Sequence, residues 1–229
     1  MDETSDKPSD NTSNKLWKRV RPRSTIGRLE LIIGCMFAGK SSEMIRRYRR
    51  YSLLHMNVLV ISHTNDTRYG ENVVSSHNKD KIECISCDTL LPIFEMLNYR
   101  DIDVIMVEEA QFFKDLMEFV INAVDIGNKI VIVSGLSGDC FRKPFGQILD
   151  LIPIADHITH LKALCTDCAN GTPAIFSKRV VPEGKQLLVG GSDTYKAVCR
   201  HHFMGITVAA QLEHISSISS EWDDFLLGC

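Results

Sequence analysis

The sequence lacks the features that mark a membrane-spanning or secreted protein. No apolar run approaches the roughly 18 to 20 residues that a membrane helix needs, and the N-terminal region contains no apolar segment typical of a secretory signal. A strong charge of one sign is also missing, because 26 Lys and Arg face 29 Asp and Glu, for a net charge of -3. We therefore expect a cytoplasmic protein with neither a membrane nor nucleic acid as a partner.

The composition is otherwise that of a folded protein. The 229 residues are 44% hydrophobic and 24% charged, which suits one full domain and a smaller unit but not two large domains. Residues 1–27 are the exception: they are rich in polar and poor in apolar side chains, so we expect a disordered tail. A basic run at residues 15–23 is compatible with a nuclear address, a nucleic-acid contact or solvated chain.

Short apolar runs alternate with helix-like stretches over residues 28–160. Such runs are typical of parallel strands covered on both faces, and each stretch between them is long enough for a crossover helix. The predicted strands are residues 29–33, 58–62, 82–86, 102–107 and 130–134, and the predicted helices are residues 41–54, 89–98 and 112–125. The pattern predicts an α/β fold with a mostly parallel sheet and flanking helices.

A smaller second unit follows at residues 161–203. Glycine and proline become frequent there, and the segments 174–181 and 186–189 lean towards β-structure, so we expect a small lobe of hairpins. Residues 204–229 carry no clear structural or functional signal, and we interpret them as a C-terminal tail.

Residues 34–41 carry the strongest motif of the chain. Their sequence, GCMFAGKS, has two glycines separated by four residues and followed by Lys40 and Ser41, between a predicted strand and a predicted helix. Glycines let the backbone wrap around phosphate oxygens, and amide N–H groups at the helix N-terminus supply positive potential. Lys40 would neutralise the outer phosphates and Ser41 would hold Mg²⁺. The motif predicts a phosphate-binding loop.

Two carboxylates follow the strand predicted at residues 102–107. The carboxyl ends of parallel strands line the crevice where ligands bind, so Glu108 and Glu109 should face the phosphate loop. Successive residues of an extended segment point in opposite directions. One carboxylate can therefore serve a hydrated metal while its neighbour acts as a base on a hydroxyl of the second substrate.

Four candidate metal ligands lie in the small second unit. Cys165 and Cys168 form one pair, and Cys199 and His202 form a second pair with the same spacing. Two such pairs suit a tetrahedral structural Zn²⁺ site, and zinc would stabilise hairpins that have little core of their own. His201 competes with His202 as the fourth ligand, and the matching three-residue step favours His202.

A further cysteine pair, Cys84 and Cys87, lies at the end of a predicted strand. In a reducing cytosol, paired thiols indicate a metal or catalysis more than a disulfide. No second pair lies near Cys84 and Cys87 in the sequence, so we interpret them as ordinary strand and loop cysteines.

With these residues assembled, the sequence resembles the type II thymidine kinases, the cytosolic cellular and poxvirus kind, over about residues 27–203. Five stretches carry the resemblance in order: GCMFAGKS at 34–41, DTRY at 66–69, EAQFF at 109–113, RKPFG at 142–146 and GGSDTY at 190–195. The resemblance implies a P-loop NTPase-like fold, with a zinc-held lobe and a lasso loop.

The resemblance also implies an activity and its residues. Thymidine, and deoxyuridine, would be phosphorylated at the 5'-hydroxyl with ATP and Mg²⁺, in nucleotide salvage for DNA synthesis, by a homotetramer. Glu109 would be the general base, Lys40 the second catalytic residue, and Glu108 with Ser41 would serve Mg²⁺. The nucleotide would be bound by Gly34, Cys35, Met36, Phe37, Ala38, Gly39, Lys40, Ser41, Asp66, Thr67, Arg68, Glu108 and Gln111. The nucleoside would contact Met36, Phe112, Leu136, Cys140, Phe141, Phe145, Gln186, Leu187, Leu188, Val189, Gly190 and Tyr195.

Three positions depart from the usual family pattern. Glu108 stands where the family usually has Asp, and His202 stands where it commonly has Cys, a substitution that zinc accepts. Cys140 aligns with a position that is commonly aromatic, and Phe141 is next to it, so either residue could pack on the sugar and base.

Two other functions remain open at this point. One is a P-loop ATPase or nucleotide-binding module that acts on nucleic acid through the zinc lobe and the basic tail. The other is a kinase-derived protein that binds nucleotide without turnover.

Overall fold

The computed structural model describes residues 26–66, 73–75, 81–181 and 190–205 of the chain. In chain order the strands are β1 (Arg28–Gly34), β2 (Val58–His63), β3 (Val73–Ser75), β4 (Lys81–Glu83), β5 (Ile85–Cys87), β6 (Val104–Val107), β7 (Ile130–Leu136), β8 (His157–Leu161), β9 (Ala163–Leu164), β10 (Pro173–Ala174), β11 (Phe176–Arg179) and β12 (Tyr195–Val198). The α-helices are α1 (Lys40–Leu53), α2 (Leu116–Ile121) and α3 (Arg200–Met204).

Shorter helical segments complete the described structure. The 3-10 helices are Leu91–Glu95, Tyr99–Asp101, Ala110–Phe112 and Ile148–Ile154, and a π-helical segment, Asn122–Ile126, continues α2. Within the described ranges, no helix has both the length and the apolar character needed to cross a membrane.

Six strands form the central sheet, in the order β5-β2-β6-β7-β1-β8. Every neighbouring pair is parallel, which confirms the predicted α/β fold. Because the carboxyl ends of all six strands lie at the same edge, the residues that follow β1, β2, β6 and β7 are brought to one end of the sheet.

The core lies on both faces of this sheet, and β1 shows why its sequence is continuously apolar. Leu31 and Ile33 belong to the core cluster that contains Phe119 of α2. Ile32 points to the opposite face and belongs to the cluster that contains Met44 of α1. Both sets of side chains are buried, so apolar residues occur without the alternation of a half-exposed strand.

The strand predicted at residues 82–86 is wrong as a single element. The chain changes partners at Cys84: β4 pairs with β3 in a separate antiparallel hairpin, whereas β5 pairs with β2 at the edge of the central sheet. Ile82 and Val74 of the hairpin pack into the cluster on the α1 face. A short apolar run does not distinguish one strand from two when both are partly buried.

The helix predicted at residues 89–98 is also wrong, because the structure has the 3-10 helix Leu91–Glu95 there. Leu90, Ile93 and Met96 pack in the opposite core cluster, which contains Phe119 of α2, and their spacing of three residues matches the 3-10 repeat rather than the α-helical one. Asp115 fixes the start of this segment, since its Oδ2 accepts hydrogen bonds from the N–H groups of Leu90 and Leu91 at 2.7 and 3.0 Å.

The helix predicted at residues 112–125 is confirmed in part. It begins later, at Leu116, and its second half is π-helical.

The edge strand β8 was not predicted, since most of its side chains are exposed and its sequence, HITHL, contains no apolar run. The basic run at residues 15–23 and nearly all of the C-terminal tail lie outside the described residues.

Two antiparallel pairs, β9 with β10 and β11 with β12, form the hairpin lobe. Its buried cluster consists mainly of small side chains, namely Cys35, Ala163, Cys165, Ala174, Ala197, Val198 and Cys199. A cluster of this kind buries little apolar area, so we expect the lobe to need another source of stability.

A buried arginine attaches α1 to the strands beneath it. The Arg47 guanidinium donates to Glu43 at 2.8 Å, to Glu30 of β1 at 2.6 Å and to Thr159 of β8 at 2.7 Å. Glu43 also accepts from the exposed Arg46, and this contact, together with Arg47, lowers the pKa of Glu43 to about 2. Arg47 thus joins one helix to two strands of the sheet.

We predict that Arg47→Ala lowers the free energy of unfolding by about 2 to 4 kcal/mol, because Glu30 and Glu43 lose their buried partner and keep only the more exposed Arg28 and Arg46. Denaturant unfolding monitored by circular dichroism measures the change. Arg46→Ala is the matched control: it removes a solvent-exposed partner of Glu43 and should have little effect. Equal losses in the two variants would contradict a special role for Arg47.

Candidate active site

The phosphate loop joins the end of β1 to the start of α1, as predicted. Gly39 has φ 84°, in the left-handed region that favours glycine, and a Cβ atom there would meet nothing within 4 Å. Gly34 is needed for a different reason, because a Cβ atom there would lie 2.5 Å from the carbonyl oxygen of Leu161. One glycine therefore sets the backbone conformation and the other permits close packing on β8.

The side chain of Lys40 folds back over the loop. It is buried, and its Nζ donates to the carbonyl oxygen of Cys35 at 2.9 Å. The hairpin lobe supports the other side of the loop, since Ser177 Oγ accepts from the Met36 N–H at 2.9 Å and Cys35 Sγ lies 3.4 Å from the Ala174 carbonyl oxygen. Burial raises the pKa of the Cys35 thiol. Lys40 is thus placed inside the loop that would surround a triphosphate.

Glu108 lies directly beside this loop. Its side chain is buried, and its Oε1 accepts a hydrogen bond from Ser41 Oγ at 2.5 Å. Burial and the neighbouring Glu109 raise the pKa of Glu108, whereas Ser134, Ser41 and Lys40 oppose that shift. Glu108 Oε2 and Ser134 Oγ are buried neighbours, but neither has a hydrogen bond of ordinary geometry among the described residues.

These oxygens fit the Mg²⁺ that the sequence implies. Mg²⁺ prefers carboxylate, hydroxyl, phosphate and water oxygens, and the orphaned Glu108 oxygen is a buried acceptor that a cation would satisfy. Ser41 and Glu108 are the residues that would hold it.

Glu109 is turned by its own backbone rather than by strand alternation. β6 ends at Val107, and Glu109 has φ 50° and ψ 44°, in the left-handed region, so the expectation of an extended carboxylate pair is wrong at this residue. The buried Glu109 carboxylate accepts from Gln111 Nε2 at 2.5 Å, and Gln111 Oε1 accepts from the Leu136 N–H at 3.1 Å. Gln111 therefore connects Glu109 to the end of β7.

The aromatic residues predicted to line a nucleoside site lie around this end of the sheet. The Phe112 and Phe145 rings meet edge to face, with centroids 5.6 Å apart. Tyr195 is buried, whereas Phe141 is exposed and Leu136 and Cys140 are partly exposed. Asp66 is also described, and its N–H donates to the His63 carbonyl oxygen at 2.9 Å. Thr67, Arg68, Gln186, Leu187, Leu188 and Val189 lie outside the described residues.

Sequence reasoning missed four side chains near these residues. They are His63, Ser134, Ser177 and Arg179. The His63 ring lies edge-on to Phe112 at 5.6 Å, and burial lowers the pKa of His63. The position of His63 at the carboxyl end of a strand was a usable signal. The sequence around Ser177 and Arg179 gave no such signal, because the contacts of these residues depend on how the hairpin lobe packs.

The four predicted zinc ligands come together in the hairpin lobe. Their ligand atoms all lie within 4.8 Å of one another, and His202 Nδ1 is 3.3 to 3.6 Å from the three cysteine sulfurs. A tetrahedron with Zn–S bonds of about 2.3 Å and a Zn–N bond of about 2.0 Å has edges of about 3.5 to 3.8 Å. The donor set and its spacing therefore fit a structural Zn²⁺ ion.

The cluster thiols differ in pKa, since that of Cys165 is lowered whereas burial raises that of Cys168 to about 11. Burial opposes ionisation of Cys165, but the backbone N–H groups of Cys199, Cys168 and Asp167 lower its pKa to about 6. A thiolate is the form that binds zinc. Burial also raises the pKa of Cys84 and of Cys87, but among the described residues only the four predicted ligands form a metal-type cluster.

Comparison with known proteins identifies the family of the chain. The family model for thymidine kinase matches residues 27–203. The chain is 41% identical over 179 residues to the thymidine kinase of vaccinia virus strain Ankara, covering 78% of this chain and 98% of the viral protein. It is 42% identical over 174 residues to that of variola virus, covering 76% and 95%. It is 41% identical over 182 residues to that of Oryza sativa subsp. japonica, covering 78% and 66%.

The residues matched by the family model include the phosphate loop, the carboxylate pair and the cysteine–histidine cluster. The resemblance inferred from five short stretches is therefore confirmed over three quarters of the chain, and the protein belongs to the thymidine kinase family.

Proposed function

We propose that this protein transfers the terminal phosphoryl group of ATP to the 5'-hydroxyl of thymidine, and of deoxyuridine. The observation that carries the proposal is the contact between Ser41 of the phosphate loop and Glu108 of the carboxylate pair, at 2.5 Å. This contact joins the phosphate loop to the carboxylate pair, which supports a site in which Glu108 serves the metal and Glu109 activates the acceptor. Family membership supports the choice of thymidine as acceptor.

ATP would bind with its phosphates on residues 34–41. Loop amides and the N-terminus of α1 would bind the phosphate oxygens, and Lys40 would leave the Cys35 carbonyl to neutralise charge on the transferred group. Mg²⁺, held by Ser41 and Glu108, would supply a further positive charge on the phosphates.

Glu109 would act as the general base. It would accept the proton of the 5'-hydroxyl as that oxygen attacks the terminal phosphorus in line. The hydrogen bond from Gln111 fixes one carboxylate oxygen, which supports a defined orientation of the other. Its left-handed backbone is a strained conformation of the kind that often occurs at functional sites.

The nucleoside would lie between the aromatic side chains at the end of the sheet and the hairpin lobe. Stacking tolerates different bases, whereas hydrogen bonds to a pyrimidine edge discriminate strongly. The family resemblance supports four further parts of the proposal: a homotetramer, a cytoplasmic location, a role in nucleotide salvage for DNA synthesis, and a structural zinc ion in the lobe.

A panel of nucleosides tested with ATP and Mg²⁺ examines this proposal. We expect phosphorylation of thymidine and deoxyuridine, and no phosphorylation of purine nucleosides. The alternative function, a P-loop ATPase that acts on nucleic acid, is not favoured by the comparisons. ADP production that responds to DNA and not to thymidine would reverse that ranking.

A further inference from the structure

An arginine at the end of β11 contacts the aromatic residue that begins β12. Arg179 and Tyr195 lie opposite each other in the antiparallel register of the hairpin. Arg179 Nη2 donates to the Tyr195 hydroxyl at 2.9 Å, and the guanidinium carbon lies 5.4 Å from the centroid of the Tyr195 ring. One side chain therefore holds both the hydroxyl and the ring of Tyr195.

The same guanidinium also reaches the loop after β7. It lies 5.9 Å from the centroid of the Phe141 ring, and its charge opposes the burial that raises the pKa of the Cys140 thiol. The Phe141 side chain is 47% exposed, so core packing does little to fix its ring. Arg179 thus bridges the hairpin lobe and a loop that extends from the central sheet.

We propose that Arg179 is a positioning residue for the nucleoside, which it orients by holding Tyr195 and Phe141 at a fixed separation. This inference rests on the proposed function, in which Tyr195 and either Phe141 or its neighbour Cys140 lie against the sugar and base. A planar guanidinium suits this role, since it donates in its plane while its faces pack on aromatic rings. Arg179 itself takes no part in the chemical step.

A positioning role predicts a selective kinetic effect. Without Arg179, the Tyr195 hydroxyl loses this donor and the Tyr195 and Phe141 rings become more mobile. Binding of the nucleoside must then order both rings, which lowers its affinity. The hydrogen bond and ring contacts of Arg179 go to Tyr195 and Phe141, so the affinity for ATP should change less than the affinity for the nucleoside. A purely structural role in the lobe would instead lower both affinities together.

We expect Arg179→Ala to raise the KM for thymidine about 5- to 50-fold and to change the KM for ATP less than about twofold. Tyr195→Phe, which keeps the ring and removes the hydroxyl, should raise the thymidine KM by a smaller factor. The double variant should resemble Arg179→Ala alone, because the arginine acts through the tyrosine. Arg179→Lys should recover only part of the loss, as an ammonium group lacks the planar faces.

Arg200→Ala is the matched control. Arg200 lies over the Phe176 ring at 5.1 Å, an arginine–aromatic contact in the same lobe that does not involve Tyr195 or Phe141. The KM of the Arg200→Ala variant for thymidine should equal that of the wild-type protein. Thermal melting and elemental analysis of zinc establish that each variant is folded. If Arg179→Ala does not fold, the test uses Arg179→Lys and Tyr195→Phe instead.

Three results would overturn the inference: an unchanged thymidine KM in Arg179→Ala, an equal rise in both KM values, or additive effects in the double variant. Failure of the proposed function is recognised separately, by wild-type protein that phosphorylates no nucleoside. In that case calorimetric titration of thymidine into the same variants decides the positioning role, and absence of binding to the wild type rejects both proposals.

Discussion

Replacing Glu109 by Gln is expected to lower the turnover number by roughly 10² to 10⁴. Gln has the size and shape of Glu, and its amide oxygen can still accept the hydrogen bond that Gln111 Nε2 gives. What the variant loses is the ability to take a proton from the acceptor hydroxyl. Steady-state turnover with thymidine and ATP measures the loss, and the dissociation constant of an ATP analogue should be nearly unchanged.

The control for this experiment is Glu118→Gln. Glu118 is exposed on α2 and offers the same change of charge away from the carboxylate pair. Its turnover should match that of the wild-type protein. If Glu109→Gln keeps near-normal turnover while remaining folded, Glu109 has no part in proton transfer, and Glu108 becomes the carboxylate to examine.

Part of this site could be predicted from the sequence because the residues concerned are neighbours in the chain. The phosphate loop, Lys40 and Ser41 occupy consecutive positions between a strand and a helix, so the motif alone defines their relation. The parallel strand β6 likewise brings Glu108 to the edge at which β1 ends.

Features that depend on backbone conformation or on distant segments could not be predicted. Glu109 adopts a left-handed backbone that its residue type does not favour, and Gln111 reaches across to β7 to hold it. The bond from the Met36 N–H to Ser177 joins residues 141 positions apart in the chain. No periodicity or spacing in a single sequence encodes such contacts, because they arise from the packing of the lobe on the sheet.

The segment between β5 and β6 shows the same limit within the fold. Its apolar residues predicted an α-helix, but the spacing of Leu90, Ile93 and Met96 suits a 3-10 turn once Asp115 fixes the first amides. The strand β8 was missed for the opposite reason, since an exposed edge strand has no apolar pattern to detect. The central strands were predicted best because burial on both faces leaves them continuously apolar.

Loss of the zinc ligands is expected to have the largest effect on stability. We predict that Cys199→Ser lowers the melting temperature by about 10 °C or more, because a structural zinc site contributes many kcal/mol and the lobe's own cluster is made of small side chains. Chelation of the wild-type protein should produce the same shift. Differential scanning calorimetry measures it, and elemental analysis should find about one zinc per chain before chelation and none after.

Cys87→Ser is the matched control, since Cys87 is a partly buried thiol outside the metal cluster. It should keep both the zinc content and the melting temperature close to those of the wild-type protein. An unchanged melting temperature in Cys199→Ser, together with no metal in the wild type, would contradict the zinc site.

Measuring which ligand, thymidine or ATP, loses affinity first when the zinc lobe unfolds would show how the lobe supports the site. Tyr195 begins the strand that leads to Cys199, whereas the phosphate loop contacts the lobe through Ser177, Ala174 and the buried cluster that contains Cys35. Unfolding of the lobe should therefore abolish thymidine binding outright and weaken ATP binding to a lesser degree. Equal loss of both ligands would mean that the phosphate loop depends on the lobe for its own shape, and the Ser177 contact would then be the first to test by Ser177→Ala.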